Sequence, residues 1–317
     1  MNNKLKIIFF GSSYFSLSIL ENICKFNKFL FLYIITKDNN LKINKNNYIN
    51  LIKLFSIKNG INILQSRNLN ENIINIIKKS NPDLIIIASY GNLIPNSIIN
   101  IPKFGCINIH CSILPKWKGP FPIYWQIISG EKESGITIIK INSKLDSGNI
   151  IFQKKCKISE KENYVSLEKK LIDISCESII YLLHKYINNE KINEIKQINN
   201  NNYEYARKIN KKIDTKINWN LSSINIDRCI RANYIYGSYF YYENIYIKLW
   251  EAEILTTKKN LYKIGEILYI DKDGMGVNTK EGIIQIKVIQ FPSKKKIDIK
   301  NYINSNNIIF KIGNLLN

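Results

Sequence analysis

A chain of 317 residues, 45% of them hydrophobic, is long enough for two domains of ordinary size, each with its own core. Its apolar runs fall short of the roughly 20 residues of a membrane helix, and the run at 7–10 is too short for a signal-peptide core, so neither a membrane-spanning nor an exported protein is expected. A formal net charge of +21 points instead to polyanionic partners, although a composition this rich in Ile, Asn and Lys also arises from nucleotide bias in a genome.

Along the first half, apolar β-like runs alternate with amphipathic stretches, the pattern of a parallel sheet covered by helices. Strands are expected at 5–10, 29–36, 83–88 and 106–110, and helices at 15–26, 48–58 and 70–79. Gly11-Ser12-Ser13 follows the first strand without the G-x-G-x-x-G pattern of a dinucleotide site, so it reads as a sharp strand-to-helix turn. Short apolar runs at 135–141 and 149–152 would extend the sheet with antiparallel strands, and a longer helix covers 164–187.

Residues 188–202 are polar and Asn-rich, without the apolar side chains that build a core. They place a linker at 188–206, between a domain at 1–187 and a second at 207–317. The rhythm then changes to short strands at 239–242, 245–251, 265–270, 274–278 and 282–289, with turn signals at Asp273-Gly274 and Glu281-Gly282. A helix at 223–232, capped by Ser222 or Ser223, precedes them. The expected fold class is α/β: a Rossmann-like, mostly parallel sheet followed by an OB-like β-barrel.

Chemistry concentrates around His110, one of two histidines. Imidazole, with an unperturbed pKa of about 6.5, both accepts and donates protons near neutral pH. Asn108, two residues earlier, projects from the same face of a strand, and Ser112 with the prolines around Lys116-Trp117-Lys118-Gly119 breaks regular structure immediately afterwards. Asp146, in the turn Lys144-Leu145-Asp146-Ser147-Gly148, is the natural carboxylate to pair with His110. An amide donor, an imidazole and a carboxylate suit the oxyanion of acyl transfer, and ligands of open α/β sheets sit beyond the carboxyl ends of the strands. The same residues also fit a satisfied structural histidine and an ordinary turn aspartate.

Other features read more simply. Cys106, His110 and Cys111 make no metal site, because adjacent residues are poor co-ligands and no second Cys/His cluster exists. The six cysteines, at 24, 106, 111, 156, 176 and 229, contain no CxxC pair and fit reduced thiols in the cytoplasm. Trp117 and Trp125 pack around the turn, and His184 is a partly exposed helical residue. The basic runs Arg207, Lys208, Lys211, Lys212 and Lys294, Lys295, Lys296 are by default solvated. Tyr234, Tyr236, Tyr239 and Tyr242 either stack on nucleotides or line the barrel.

Several segments together resemble the 10-formyltetrahydrofolate-dependent formyltransferases, and over almost the whole length those acting on methionyl-tRNA. Asn108-Ile109-His110 with Ser112-Ile113-Leu114-Pro115 is similar to their Asn-x-His and Ser-Leu-Leu-Pro signature, and Leu145-Asp146-Ser147-Gly148 to their Leu-Asp-Thr-Gly turn. Ala88-Ser89-Tyr90-Gly91 with Ile94-Pro95 resembles the family's loop beside the pterin. Ile217-Asn218-Trp219 with Arg228-Cys229-Ile230-Arg231-Ala232 resembles the opening of its tRNA-binding domain.

The resemblance implies a catalytic set of Asn108, His110 and Asp146, and a folate site at Tyr90, Gly91, Ser112, Ile113, Leu114 and Pro115. It also implies tRNA contacts at Lys42, Lys45, Arg207, Lys208, Lys211, Lys212 and Lys294 to Lys296. The implied cosubstrate is 10-formyltetrahydrofolate, with no metal, and the implied partner is initiator methionyl-tRNA, met by a monomer. Trp117, between two lysines, would then be placed near the aminoacyl end. Formylation of a sugar nucleotide or purine precursor, or an inactive nucleic-acid-binding relative, are the alternatives. The chain departs from the family at Cys111, at Pro120-Phe121, and in the shortened, Lys/Asn-rich loop 37–47.

Overall fold

Uninterrupted apolar runs become central strands because a sheet covered on both faces buries every side chain. In the computed structural model, which describes residues 4–37, 51–66, 68–198, 204–305 and 308–317, β4 (Leu84–Ala88) is such a strand, and β1 (Leu5–Gly11) and β5 (Cys106–His110) beside it are buried except at Lys6 and Asn108, which are partly so. With β2 (Phe29–Thr36), β3 (Ile63–Gln65), β6 (Glu133–Lys140) and β7 (Ile150–Lys157) they form a seven-stranded sheet in the order β3-β2-β1-β4-β5-β6-β7. Pairing is parallel from β3 to β5 and antiparallel for β5–β6 and β6–β7. The fold is thus the expected Rossmann-like, mostly parallel α/β sheet.

The first helix, α1 (Tyr14–Cys24), starts where Ser13 and Ser16 form a reciprocal cap, which explains the turn after Gly11 without a nucleotide. The second, α2 (Leu51–Lys58), is followed by α3 (Glu71–Ser80), which is capped by Asn70 and ends with Asn81 in the left-handed region. The one-turn α4 (Asn96–Ile99), the short strand β3 and α5 (Pro122–Ser129) were not expected from the sequence. The long helix α6 (Tyr164–Ile187) has the expected bounds.

The chain divides into two compact units. One comprises Met1–Pro122, Glu133–Lys157 and Glu168–Arg207; the other comprises Ile123–Lys132, Ile158–Leu167 and Lys208–Asn317. The segment expected as a linker therefore falls within the first unit up to Arg207, and most of α5 groups with the second.

The second unit holds α7 (Lys211–Asp214), α8 (Ser223–Ala232), β8 (Ser238–Tyr242), β9 (Ile245–Thr256), β10 (Ile267–Asp271), β11 (Gly274–Asn278), β12 (Ile283–Gln290), β13 (Ile297–Asp298) and α9 (Ile299–Ile303). Ser222 accepts from the Asn225 amide and caps α8. A separate antiparallel sheet runs β10-β11-β12-β9-β8, with β13 on β12. Alternation along the strands sends Phe240, Tyr242, Ile247, Leu249, Val277 and Ile286 into one core beside Trp219. Residues 313–317 meet both ends of that strand order. The backbone of Ile267 exchanges bonds with Gly313 and Asn314, and that of Tyr241 with Asn317.

Candidate active site and basic face

The strand β5 carries Asn108 and His110 on one face, between β4 and β6. Asp146 reaches them from a turn whose backbone is unusual: its φ is +47°, in the left-handed region that residues with a Cβ rarely enter. A Cβ at Gly148 would collide with the Lys140 carbonyl, so the turn requires glycine there.

Both carboxylate oxygens of Asp146 have donors. Asn108 Nδ2 donates to Oδ1 at 3.2 Å, and the Gly119 backbone N–H donates to Oδ2 at 2.9 Å. His110 Nδ1 lies 3.7 Å from Oδ2, an ion-pair separation rather than a hydrogen bond. Its Nε2 is 2.9 Å from the Trp117 carbonyl, which can only accept, so Nε2 carries a proton. With Nδ1 also protonated, the ring would aim both N–H groups at oxygens. His110 and Asp146 are 6% and 8% exposed, so these contacts are made away from bulk water.

Trp117 is 5% exposed and has a φ of +60°. It is buried at the turn, and its carbonyl faces the imidazole of His110. Gly119 has a φ of +118°, and a Cβ there would press on the Ala206 carbonyl and Tyr205 ring.

Ser112 to Pro115 form a turn held by two residues the sequence did not single out. The Thr137 hydroxyl donates to the Ser112 carbonyl at 2.6 Å and accepts from the Leu114 N–H at 3.1 Å. Gln153 Nε2 donates to the Leu114 carbonyl at 3.0 Å and to Thr137 Oγ1 at 2.9 Å. The Ser112 hydroxyl is itself given to the Lys116 carbonyl at 2.7 Å. Ser112 and Leu114 are buried, Ile113 and Pro115 partly so, and the Leu114–Pro115 peptide is cis.

Tyr90 is buried with its ring edge-on to Phe10, and Tyr90, Ile94, Ile98 and Cys106 share an apolar cluster with Ile141 packed against it. Gly91, at φ +71°, accepts Lys37 Nζ on its carbonyl at 2.9 Å. Cys111, next to His110, is buried; burial, and then the charge of Glu168, push its thiol well above the ordinary range. A thiol held in that state is a poor nucleophile. No cluster of three or more His, Cys, Asp or Glu suited to a metal occurs among the described residues.

The polar segment after α6 docks against this site. Ile195 exchanges backbone bonds with Ile150. The Glu194 carboxylate accepts from Asn149 and from Lys140, each at 2.9 Å, and these bonds hold it below the usual carboxylate range. Gln197 Nε2 donates to the carbonyls of Asp146 and Gly148 at 2.9 and 2.8 Å. Ala206 exchanges bonds with Lys118 and Phe121, and Glu204 accepts from the Trp117 N–H. Polarity in this segment marked a linker because the partners of its amides and carboxylates are distant in sequence.

In the second unit, the two basic runs converge. Lys211 lies 4.2 Å over the Tyr236 ring, and Lys296 3.3 Å over Trp250. Between them Lys248 donates to the Tyr236 carbonyl at 2.8 Å and sits 5.3 Å from the Trp250 ring. Burial, and then the charges of Lys211 and Lys296, pull the Lys248 ammonium below its ordinary range. Tyr239, Tyr241 and Tyr246 form a ring cluster on the same hairpin, with Lys216 5.7 Å over Tyr241.

Of the tyrosines named from the sequence as possible stacking residues, Tyr234 is 37% accessible, whereas Tyr239 and Tyr242 are buried; Tyr241, beside them, is also 37% accessible. Arg207, Lys208, Lys212, Lys294 and Lys295 are exposed. Lys42 and Lys45 lie outside the described residues.

An α/β sheet that brings an amide, an imidazole and a carboxylate together at the carboxyl end of one strand has the parts that acyl-transfer enzymes use. The chain belongs to the formyl transferase family: residues 5–183 match formyl transferase, and residues 209–307 match the formyl transferase C-terminal domain. It is 39% identical over 315 residues to a methionyl-tRNA formyltransferase of Buchnera aphidicola subsp. Acyrthosiphon pisum, across 99% of each chain. The methionyl-tRNA formyltransferase of Clostridium tetani is 36% identical, across 96% of this chain and 97% of that one.

Among solved structures, the sugar 3N-formyl transferase WlaRD, crystallised in the presence of dTDP and 5-N-formyl-THF, matches with a TM-score of 0.65 at 24% identity. That match covers 92% of this chain and 99% of WlaRD. HypX from Aquifex aeolicus in complex with tetrahydrofolic acid matches at 0.61 with 14% identity, across 95% of this chain and 47% of HypX. Both structures share the fold.

Proposed function

We propose that this chain transfers the formyl group of 10-formyltetrahydrofolate to the α-amino group of methionine on initiator tRNA, yielding formylmethionyl-tRNA for translation initiation. The observation that carries this reading is 39% identity to a methionyl-tRNA formyltransferase over 99% of both chains, second unit included. The lysine-aromatic face on that unit supports the same acceptor: cations positioned by aromatic rings suit RNA phosphate, and a small acceptor needs no such surface. The proposed setting is a monomer in the cytoplasm, to which six free thiols are suited.

In this reading Asn108, His110 and Asp146 perform the transfer, and Tyr90, Gly91 and Ser112 to Pro115 hold the folate. The folate supplies the electrophilic formyl carbon. Asn108 Nδ2 has a second N–H beyond the one given to Asp146, and that hydrogen meets the formyl oxygen as the amine attacks and negative charge develops there. His110, when protonated, adds positive charge to the site while its two N–H groups face the Trp117 carbonyl and Asp146, and Asp146 fixes the amide and balances the charge of the ring. As the new C–N bond forms and the old one breaks, a proton passes from the amine to the departing nitrogen, with His110 the titratable group at hand.

Residues 1–187 form the catalytic domain in this proposal, 188–206 the connecting segment and 207–317 the tRNA-binding domain. The second sheet then serves as an OB-like barrel. The bonds from residues 313–317 to Tyr241 and Ile267 support that shape, since they span the two ends of the strand order.

Formylation of a sugar nucleotide is the second reading, favoured by the fold shared with WlaRD. Purified protein, 10-formyltetrahydrofolate and radiolabelled methionyl-tRNA decide between them. Formyl transfer to initiator methionyl-tRNA is expected; transfer to an amino-sugar nucleotide alone would overturn the proposal. Tight tRNA binding with no transfer to any amine would instead mark an inactive relative.

A further inference from the structure

We infer that Gln197 is a positioning residue that holds Asp146 in its working place. This rests on the acyl-transfer reading of Asn108, His110 and Asp146 above. Gln197 is 7% exposed, and its single amide nitrogen donates both hydrogens, to the carbonyls of Asp146 at 2.9 Å and Gly148 at 2.8 Å. One side chain thereby spans the turn that presents the carboxylate.

That turn needs support. Asp146 sits at φ +47°, a conformation that a residue with a Cβ does not hold by preference. On its exposed side Asn142 accepts from the Lys144 N–H at 2.9 Å and from the Ser147 hydroxyl at 3.0 Å, in contact with solvent. Gln197 is the buried fixed point.

The orientation of its amide is unambiguous, because turning it over would face Oε1 toward two carbonyl oxygens. In this orientation Oε1 is buried and meets no donor among the described residues. A side chain present only to fill space would carry no uncompensated oxygen. The two donated bonds are therefore what the residue contributes. They fix the Asp146 backbone, and through it the carboxylate that receives Asn108 and Gly119.

A double-mutant cycle tests this. Gln197→Met keeps the length of the side chain and removes both donors. It is expected to lower kcat about ten- to a hundred-fold, the effect of a small misplacement at a reacting centre, while tRNA affinity and KM for methionyl-tRNA stay near wild type. In an Asp146→Asn background the same substitution is expected to cost less than about two-fold, because the group it positions has already been disabled. Circular dichroism checks that each variant is folded. Should the Met variant not fold, Gln197→Glu, which has the shape of glutamine but faces the carbonyls with oxygen, is read through the same cycle.

Wild-type kcat in the folded variant, or the same fold-loss in both backgrounds, would overturn the inference. If Asp146→Asn and His110→Ala themselves turn over at the wild-type rate, the proposed active site fails, and with it the premise rather than the link from Gln197 to the turn.

Discussion

Asn108 and Asp146 are joined directly, amide to carboxylate across 3.2 Å, whereas His110 stands 3.7 Å from the same carboxyl group. The carboxylate expected to serve the histidine thus also fixes the amide, with one N–H left over. Asn108→Ala, which removes the leftover donor, should lower kcat for formyl transfer about 10²- to 10³-fold. Single-turnover assays with saturating folate measure this, and a loss confined to KM would exclude the oxyanion role.

His110→Ala should reduce formylation by about 10²- to 10⁴-fold. Binding of methionyl-tRNA, measured by filter retention, should persist, since the lysine-aromatic face lies on other residues. Equal turnover by mutant and wild type would remove His110 from the reaction.

Thr137 is fully buried and serves the Ser112 carbonyl and the Leu114 N–H with one hydroxyl. Thr137→Val keeps the shape but leaves both backbone groups without that partner. Urea denaturation should show a loss of about 1–3 kcal/mol, accompanied by weaker folate binding in a fluorescence titration. An unchanged folate affinity would disconnect this turn from the cosubstrate.

Lys248 lies between Lys211 and Lys296, so an anion placed there would meet three cations. Lys248→Gln should weaken tRNA binding across sequences and reduce the slope of log affinity against log salt by about one. If the slope is the same as wild type, the face does not meet phosphate.

Burial holds the Glu168 carboxyl above its usual range. From the ordinary value of 4.5 up to that raised value, the folded chain keeps a proton that the unfolded chain has released, so stability falls as pH climbs through the window. Glu168→Gln should flatten that fall and raise the thermal midpoint at neutral pH. A lower midpoint at pH 7 would mean that the charged form makes a stabilising contact.

Elements defined by local chemistry were legible in the sequence. The bounds of β2, β5, α6 and α8 agree with the expected 29–36, 106–110, 164–187 and 223–232, because an apolar run marks β2, alternation around Ile107 and Ile109 marks β5, amphipathic spacing marks α6 and a capping serine marks α8. The three-residue β3 is too short for alternation to register. The motif residues of the candidate site were legible as well, since His110 is one of two histidines, Asn108 shares its strand face, and Asp146 stands in a short turn ahead of an apolar strand. Their supports were not. Thr137 and Gln153 lie on strands where they pass for ordinary polar positions, and Gln197 lies in a run that looks like spacer. Lys211, Lys248 and Lys296 come together only when the hairpin β8–β9 and the loop before β13 are folded.

Residues 313–317 bear on association as well as shape. Asn317 satisfies Tyr241 on β8, and Gly313 and Asn314 satisfy Ile267 on β10, so the strands at both ends of the order have their outward amides and carbonyls at these points occupied. A truncation at residue 312 would uncover them and create two adhesive strands on a highly charged protein. Loss of these five residues should therefore appear first as self-assembly through strand addition, before any fall in the intrinsic rate of transfer.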